Sequence, residues 1–440
     1  MIRWGIFGGI LFALTMAALS LHVPGALGIG SIALKTRFVE ITGVSAAVYL
    51  LAVWMVTHRG GAAGSRYGVW MVLGVAAALR LPLIVAPPFL STDVYRYVWD
   101  GRVQATGVNP YRYVPTDPAL AALRDDTVYP HINRAEYAPT IYPPVAEMLY
   151  AAVGFVWSTV AGMKAAMVGF EVLAIFCLLR LLGAANLPAE RVLIYAWNPL
   201  PVWDFAGNGH IDGAAIGLVA AALLLRVRHR DSWAGVALGL AMLTKFLPAV
   251  VAPVLWRRGA GWRTAAAAAA TIIVLYLVYS SVGWRVFGFL QAYGDEEGYD
   301  SGTGFWLLAG VSRLVALPPV VAVTYKVCAV LLLGVLAGWF AFVRRPDDPV
   351  SICAAAGVMM AVLTFAISPH YPWYFAWLAV PCVLAPRPSV VWLSSAPILT
   401  YLDTFGDRFF WPSVVYVPAI LLAAGSLLRP SHSALVKEIA

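Results

Sequence analysis

The chain has 440 residues, of which 61% are hydrophobic and 12% charged, and its formal net charge is +8. Soluble domains average roughly 45–50% apolar and about 25% charged residues, so this composition excludes a water-soluble enzyme of this length. The basic residues are scattered at the ends of apolar stretches and form no stripe, which argues against a nucleic-acid partner.

Apolar stretches long enough to span hydrocarbon as helices recur along the whole chain. They predict an all-α polytopic membrane protein, interpreted as a single membrane-embedded domain over residues 1–440, with about 12–14 transmembrane helices. The predicted spans are 4–24, 40–57, 67–88, 143–160, 164–182, 191–206, 209–226, 233–256, 263–282, 320–343, 350–368, 371–386, 389–402 and 411–428. Because Lys245 and Pro248 interrupt the segment 233–256, we expect two half-helices there.

The loops between these stretches differ in charge, and basic loops mark the cytoplasmic side of a membrane. The basic segments are His58–Arg66, Arg226–Arg230, Arg257–Arg263, Arg344–Arg345 and the tail after Arg429. Placing them in the cytoplasm predicts a cytoplasmic N-terminus and outward loops at 89–142, 207–210, 283–303, 368–372 and 403–411. Full crossings at both 143–160 and 164–182 would put Arg180–Arg191 outside, so we expect one of these two segments not to cross completely.

The first large outward loop, 89–142, contains a predicted helix. Ser91 or Thr92 can cap its start and Gly107 can end it, while Asp93, Arg96, Tyr97 and Asp100 fall on one face at helical spacing. This pattern predicts an amphipathic helix lying on the outer membrane surface. Its aromatic rings suit an interfacial anchor and its arginines could attract lipid phosphates. An acid near anionic lipid has no anchoring use, so Asp93 indicates a functional site.

Motifs in this loop and in two later stretches of the chain share polar and aromatic residues. The motifs are DVYRYVWDGRVQATGVNPYRY at 93–113 with IYPPVAE at 141–147, WNPLPVWDFAGNGHIDG at 197–213, and ISPHYPWYFAW at 367–377. In these motifs the chain resembles GT-C-type glycosyltransferases, most closely the bacterial polyprenol-phosphate-mannose-dependent mannosyltransferases. The resemblance covers the chain up to about residue 385, and none of the motifs specifies the sugar. It implies a multi-pass enzyme of the bacterial cytoplasmic membrane whose partners are membrane lipids, a polyprenyl-phosphate-linked sugar and a glycan or glycolipid acceptor.

Enzymes of this kind use an acid in the first outward loop as catalytic base, and Asp93 matches that position. Where some relatives carry two adjacent acids, this chain has Thr92-Asp93, so we expect neither a bound metal nor another cofactor. Since phosphate is a good leaving group, the reaction needs a base for the acceptor hydroxyl and cations for the phosphate. One carboxylate suffices for a single inverting displacement. With a β-linked mannosyl phosphate donor, the resemblance implies an α-mannoside product.

Polar residues at the predicted outward helix ends are candidates for binding the substrates. Candidates for the donor phosphate are Arg96, Arg102, His210, Lys245 and His370. Candidates for the sugar or acceptor are Tyr97, Asp100, Asn208, Asp212, Tyr371 and Trp373. His210 follows a glycine near a helix start, where an anion is favoured, although an interfacial histidine with a local Asp partner fits equally well. Lys245 is costly at membrane depth unless it is functional or snorkels to the surface.

Two other acidic features have structural interpretations. The loop 283–303 contains Asp295, Glu296, Glu297 and Asp300, whose spacing is not that of a metal site, and we expect a solvated, mobile loop on the acceptor side. Glu171, predicted at mid-membrane, is expected to pair with another helix.

Two alternatives share the many spans. A transporter or flippase of polyprenyl-linked lipids would also have broken helices and intramembrane charges, but its polar groups lie near the midplane, whereas here they concentrate at one surface. A non-catalytic subunit of a cell-envelope assembly would keep the spans without activity. Glucose, galactose or a pentose would need the same base and cations as mannose.

Overall fold

The computed structural model describes residues 2–22, 31–58, 65–88, 90–403 and 406–428, and within these ranges it contains helices but no β-strand. The α-helices are α1 (Ile2–Leu19), α2 (Ile32–Thr57), α3 (Arg66–Val85), α4 (Asp93–Ala105), α5 (Pro144–Trp157), α6 (Val160–Ala184), α7 (Leu193–Ala196), α8 (Pro199–Pro201), α9 (Asp212–Val227), α10 (Asp231–Thr244), α11 (Ala252–Leu255), α12 (Gly261–Val278), α13 (Leu290–Glu296), α14 (Trp306–Ser312), α15 (Pro319–Gly338), α16 (Pro349–Ile367), α17 (Ala379–Cys382), α18 (Pro388–Leu393) and α19 (Phe410–Leu428). The predicted all-α fold class is confirmed.

Short 3₁₀ and π segments connect these helices. They are Pro118–Leu123, Tyr129–His131, Ala189–Val192, Leu247–Val251, Ser280–Phe287, Pro372–Leu378 and Ala396–Leu402, with π turns at Val202–Gly207 and Trp339–Arg344. Parts of the basic loop His58–Arg66 and of the outward loops 89–142 and 403–411 lie outside the described residues, as does the tail after Arg429.

Eight helices in the described part of the chain are long and apolar enough to cross a membrane. They are Ile2–Leu19, Ile32–Thr57, Arg66–Val85, Val160–Ala184, Gly261–Val278, Pro319–Arg344, Pro349–Ile367 and Phe410–Leu428. Six of the fourteen predicted spans are not among them. The spans 143–160, 209–226 and 233–256 contain α-helices of 14, 16 and 14 residues, and 191–206, 371–386 and 389–402 are short helical pieces. Each of the last three contains at least one proline, which removes a backbone donor and interrupts an α-helix.

The segment 233–256 is also broken, as predicted. Helix α10 ends at Thr244, Lys245 is extended with φ −157° and ψ 141°, and the chain resumes as the 3₁₀ turn Leu247–Val251 followed by α11. Pro248 and Pro253 stand in the first turns of the two returning pieces, where proline is tolerated. The break places the Lys245 side chain at a helix end.

Contacts between distant segments define two opposite ends of the molecule. At one end, which we call the basic end, the Ser65 N–H donates to Glu190 at 2.6 Å, and Arg226 pairs with Asp347 at 3.0 Å. At the other end, the start of α6 meets the end of α3, because Lys164 Nζ donates to the carbonyls of Leu83 and Ala86 at 2.9 and 2.6 Å. We call this the site end.

These contacts resolve the orientation conflict in the sequence. Helix α5 begins beside the site end and is followed at once by α6, which also begins there, so α5 is the segment that does not cross. Arg191 therefore lies at the basic end with the other basic loops. Glu171 on α6 pairs with Arg80 on α3 at 2.7 Å, which confirms the predicted helix–helix partner.

Helix α4 forms at the predicted position, and most of its residues are buried within the protein. Its residues Val94, Tyr97, Val98 and Trp99 are at most 2% exposed, and it packs along α5 and also contacts α6. Gly101 permits this packing, since a Cβ there would overlap the Tyr150 carbonyl oxygen of α5. The predicted helix is therefore present, and α5 and the loop after α4 cover much of its surface. Its position at the membrane interface stays a prediction.

Candidate active site

A cavity of about 630 Å³ opens at the site end. Its walls come from five separated stretches of the chain, at 90–97, 133–143, 244–247, 290–299 and 367–374. The two large loops predicted to face outward, 89–142 and 283–303, thus meet over the ends of broken helices. Such a volume lies within the range of small-ligand sites.

Asp93 lies in the cavity wall as the first residue of α4. Its Oδ1 accepts a hydrogen bond from Asn133 Nδ2 at 2.9 Å, and its Oδ2 lies 3.7 Å from His210 Nδ1. The side chain is 23% exposed, so a solute in the cavity can reach it. Burial raises the pKa of Asp93, while the Asn133 hydrogen bond and the charges of Lys245 and Arg134 lower it, with a net increase. A carboxylate with a raised pKa and an open face is suited to accept a proton.

Lys245 reaches the cavity from the break after α10. Its Nζ donates to both carboxylate oxygens of Asp212 at 2.6 and 2.8 Å and lies 3.8 Å from the centre of the Tyr374 ring. An ammonium has three N–H donors, so it can bind a further acceptor beside Asp212. The structure therefore brings Lys245 and Asp212 together.

Stacked rings form one wall of the cavity. Trp373 stacks on His210 with ring centres 3.9 Å apart, and Tyr371 stacks on Trp373 at 4.7 Å. Tyr371 and Trp373 line the cavity, whereas His210 is fully buried behind them. Within the described residues, neither ring nitrogen of His210 has a hydrogen-bond partner. Its position fits a group that supports Asp93 and Trp373 from behind.

The arginines and the second aspartate of α4 are held in ion pairs. Arg96 lines the cavity, yet its Nε donates to Asp100 at 2.9 Å and its Nη1 to the Ala138 carbonyl at 3.0 Å. Arg102 pairs with Asp125 at 2.6 Å and does not line the cavity. Asp100 is 2% exposed and lies behind Arg96. Among these, only Arg96 is brought to the cavity.

Three other candidates occupy different places. Tyr97 lines the cavity and stacks on Tyr150 with ring centres 4.6 Å apart. Asn208 is buried away from the cavity lining, where its Oδ1 accepts from the Leu90 N–H at 3.1 Å and so fixes the chain just before Asp93. His370 also lies outside the lining, and its Nε2 is 3.3 Å from Glu297 Oε2.

Acidic side chains of the second outward loop, 283–303, form ion pairs with residues of other segments. Glu296 pairs with Arg134 at 2.7 Å, Glu297 with Arg408 at 3.3 Å, and Asp300 with Lys326 at 3.0 Å. These ion pairs join the loop to three other segments, while Glu296 and Asp300 remain accessible to water at 30% and 72% exposure. The mobility of the loop stays a prediction. Among the described residues, no group of three or more His, Cys, Asp or Glu side chains is placed to hold a metal ion.

Comparison with known proteins assigns the chain to a family. The family model described as "Alpha-(1->6)-mannopyranosyltransferase, N-terminal domain" matches residues 3–259, more than half of the chain. The chain belongs to this family.

Two curated proteins, both named Alpha-(1->6)-mannopyranosyltransferase A, are similar to this member of the family. The protein from Mycobacterium tuberculosis is 24% identical over 343 residues, covering 69% of this chain and 63% of the relative. The protein from Corynebacterium glutamicum is 26% identical over 348 residues, covering 68% of each chain. The first match thus spans less than two thirds of that relative. No solved structure matches the chain.

The region matched by the family contains most of the site, including Asp93, His210, Asp212 and Lys245. Tyr371 and Trp373 lie beyond it and come from the C-terminal part of the chain. With its long apolar helices, this family member is a multi-pass bacterial membrane protein.

Several cavity residues were missed from the sequence. Asn133 and Arg134 stand in the stretch HINRAEYAPTIYPP, which has no helical period to indicate a face. Tyr142, Tyr293 and Tyr374 also line the cavity. Arg134 has a φ of 55°, a left-handed conformation that is uncommon outside glycine and clusters at functional sites, but this signal is available only from the structure.

Proposed function

We propose that this chain is an inverting mannosyltransferase. It would move mannose from a polyprenyl-phosphate donor to a lipid- or polysaccharide-linked acceptor. The family membership and the names of the relatives support mannosyl transfer. The mechanism rests on one observation, the carboxylate of Asp93 in the cavity wall. Asn133 donates a hydrogen bond to its Oδ1, and among the described residues no hydrogen bond is made to its Oδ2.

In the proposed reaction, Asp93 Oδ2 takes the proton of the acceptor hydroxyl as that oxygen attacks the anomeric carbon. The bond between this carbon and the phosphate oxygen breaks, and polyprenyl phosphate leaves with the electron pair. One bond forms as one breaks on the opposite face, so a β-linked donor gives an α-mannoside. No second carboxylate is required, because no covalent intermediate forms.

The positive charge of Lys245 supports binding of the donor phosphate. The leaving polyprenyl phosphate gains negative charge as its bond to the anomeric carbon breaks, and a cation preorganised in a cavity stabilises that charge more than water does. The Tyr371–Trp373 stack presents ring faces to the same cavity. We assign this wall to the apolar face of a sugar ring and the apolar residues Phe246 and Leu247 to the lipid side of the donor.

We propose that the site faces outward from the cytoplasmic membrane and that the N-terminus is cytoplasmic. The basic loops gather at the end opposite the cavity, and basic loops remain in the cytoplasm during insertion. Reporter fusions after Arg230 and within loop 283–303 test this arrangement. Cytoplasmic signals from both positions would contradict it.

We further propose that no metal takes part. The residue directly before Asp93 is a threonine, Thr92, so this position offers no pair of adjacent carboxylates to hold a metal. Activity is therefore expected to survive chelation with EDTA.

The decisive experiment uses the full chain purified in detergent. It is given polyprenyl-phosphate-linked radiolabelled mannose and a bacterial lipid extract, and the label leaving the donor is followed. Asp93→Asn is expected to lower kcat about 10²–10⁴-fold, the usual contribution of a general base, while donor binding is retained.

The matched control is Asp117→Asn, because Asp117 caps the 3₁₀ turn Pro118–Leu123 in the same loop and lies away from the cavity lining. Its transfer rate is expected to equal wild type. Transfer that survives Asp93→Asn removes Asp93 from the mechanism. Consumption of another lipid-linked sugar in place of mannose corrects the substrate. Movement of labelled lipid between leaflets of a liposome, without transfer, identifies a flippase.

A further inference from the structure

Three of the described cavity-lining residues are cationic, and each forms an ion pair with an acidic side chain. The three ion pairs differ in their exposure to solvent. The cationic residues are Arg96, Arg134 and Lys245. The Arg96–Asp100 pair has side chains 5% and 2% exposed, and the Lys245–Asp212 pair 17% and 9%. The Arg134–Glu296 pair has side chains 27% and 30% exposed. Arg134 was not among the residues singled out from the sequence.

Exposure decides which cation can exchange its partner for a substrate. Breaking a buried pair leaves an uncompensated charge out of water and is strongly unfavourable. An exposed pair is worth little, because water replaces either partner. Arg134 is therefore the cavity cation that gives up its carboxylate at the smallest cost, since water can solvate the released Glu296.

The location of Arg134 suits an anion bound beside the base. It directly follows Asn133, which donates to Asp93, and its charge contributes to lowering the pKa of Asp93. Its pair with Glu296 runs through Nε at 2.7 Å, and the two Nη atoms of a guanidinium carry four further N–H donors. A guanidinium binds phosphate through two parallel hydrogen bonds, which an ammonium cannot match.

We propose that Arg134 binds the donor phosphate by exchanging Glu296 for it. This inference rests on the proposed function and deepens it, since it adds to Lys245 a second residue that recognises the lipid-linked phosphate. The donor diester carries one negative charge, and the polyprenyl monophosphate that leaves carries up to two. Arg134 therefore holds the departing phosphate more strongly than the bound donor, and it contributes to kcat as well as to binding.

The exchange also loosens the second outward loop. Glu296 ends α13, and Tyr137 donates to the same carboxylate at 3.0 Å. When the phosphate takes Arg134, the loops 89–142 and 283–303 lose this ion pair but remain joined by the Tyr137 hydrogen bond, by the Phe289 N–H donating to the Thr140 carbonyl at 3.2 Å, and by the Tyr137–Phe289 ring contact. Donor binding thereby favours opening of the side of the cavity that α13 covers.

Binding of polyprenyl monophosphate to the purified full chain in detergent tests this proposal, with unphosphorylated polyprenol as the reference for the lipid part. Four variants are compared with wild type: Arg134→Gln, Arg134→Lys, Glu296→Gln and Arg124→Gln. Arg124 is the matched control, because it lies in the same loop and donates to the Pro115 and Asp117 carbonyls outside the cavity lining. Size-exclusion profiles and thermal unfolding of each variant report whether it folds.

Arg134→Gln is expected to weaken binding about tenfold or more, the scale of one or two charge-assisted hydrogen bonds. Arg134→Lys is expected to recover part of the loss and Arg124→Gln to match wild type. Glu296→Gln is expected to bind as tightly as wild type or more tightly, since it releases Arg134 without removing it.

Equal losses in Arg134→Gln and Glu296→Gln would mean that the ion pair is only a structural latch, which overturns the proposal. Unchanged binding in a folded Arg134→Gln variant overturns it as well, while the proposed function stands. If wild type itself binds polyprenyl monophosphate no better than polyprenol, the proposed donor is wrong and the role of Arg134 falls with it.

Discussion

Helix α4 carries two aspartates on the same predicted face, and the structure treats them in opposite ways. Asp100, in the middle of the helix, is 2% exposed and neutralised by Arg96. Asp93, at its first residue, is 23% exposed and held by the neutral amide of Asn133. A carboxylate needs an open oxygen and no firmly bound cation to serve as a base. Both residues are aspartates on the same helical face. What distinguishes the candidate base Asp93 from the structural Asp100 is its exposure to the cavity and, within the described part of the chain, the absence of a paired arginine.

The largest expected effect concerns the buried ion pair between Arg96 and Asp100. Arg96→Met is expected to lower the free energy of unfolding by about 3–5 kcal/mol, because it leaves the buried Asp100 without its cation. The effect is measured by thermal unfolding in detergent. Arg102→Met is the control in the same helix, and its more exposed pair with Asp125 predicts a loss below about 1 kcal/mol.

A double variant tests the cause of that loss. Arg96→Met combined with Asp100→Leu removes both charges and is expected to recover most of the stability. If Arg96→Met instead unfolds like wild type and binds the donor poorly, Arg96 has the phosphate-binding role predicted from the sequence and the contrast fails.

A smaller effect concerns the contact that holds the middle of α4 in place. Gly101→Ala is expected to cost about 1–3 kcal/mol of stability, since its Cβ would overlap the Tyr150 carbonyl oxygen and force α4 and α5 apart. Gly169→Ala on α6 is the control, because a Cβ there meets no atom within 4 Å. Equal stability of the two variants would show that the α4–α5 contact tolerates a wider spacing.

The smallest expected effect concerns the pKa of Asp93, which is tested by the pH dependence of kcat/KM. Asn133 lowers the pKa of Asp93 by a hydrogen bond, so Asn133→Ala raises that pKa further. A base must be deprotonated, and the acidic limb of kcat/KM therefore moves to higher pH, by about 0.5–1 unit for a hydrogen bond of ordinary strength.

Asn109→Ala, in the same loop but bonded to the Tyr279 carbonyl, is expected to leave the pH profile unchanged. A profile of Asn133→Ala that coincides with wild type would mean that Asp93 does not titrate as the base.

The sequence predicted the fold class and the position of α4, but only some of the residues of the site. The apolar pattern gave the helical class, and Ser91, Thr92 and Gly107 bracket the observed α4 closely. Lys245 could be found because a charge in an apolar stretch is costly. The burial of α4 could not be found, because it depends on α5 and the loop that cover it. His370 likewise matches a motif, yet its partner Glu297 is more than 70 residues away in sequence.

The short helix α5 has a consequence for how the chain enters the membrane during synthesis. Its 14 residues extend about 21 Å, against a hydrocarbon thickness of about 30 Å. Because α5 and α6 both begin at the site end, α5 adds no crossing, and the chain enters α6 on the same side as it entered α5. Lengthening α5 until it spans would reverse the sidedness of every later helix and place Lys245 and Trp373 on the opposite side from Asp93.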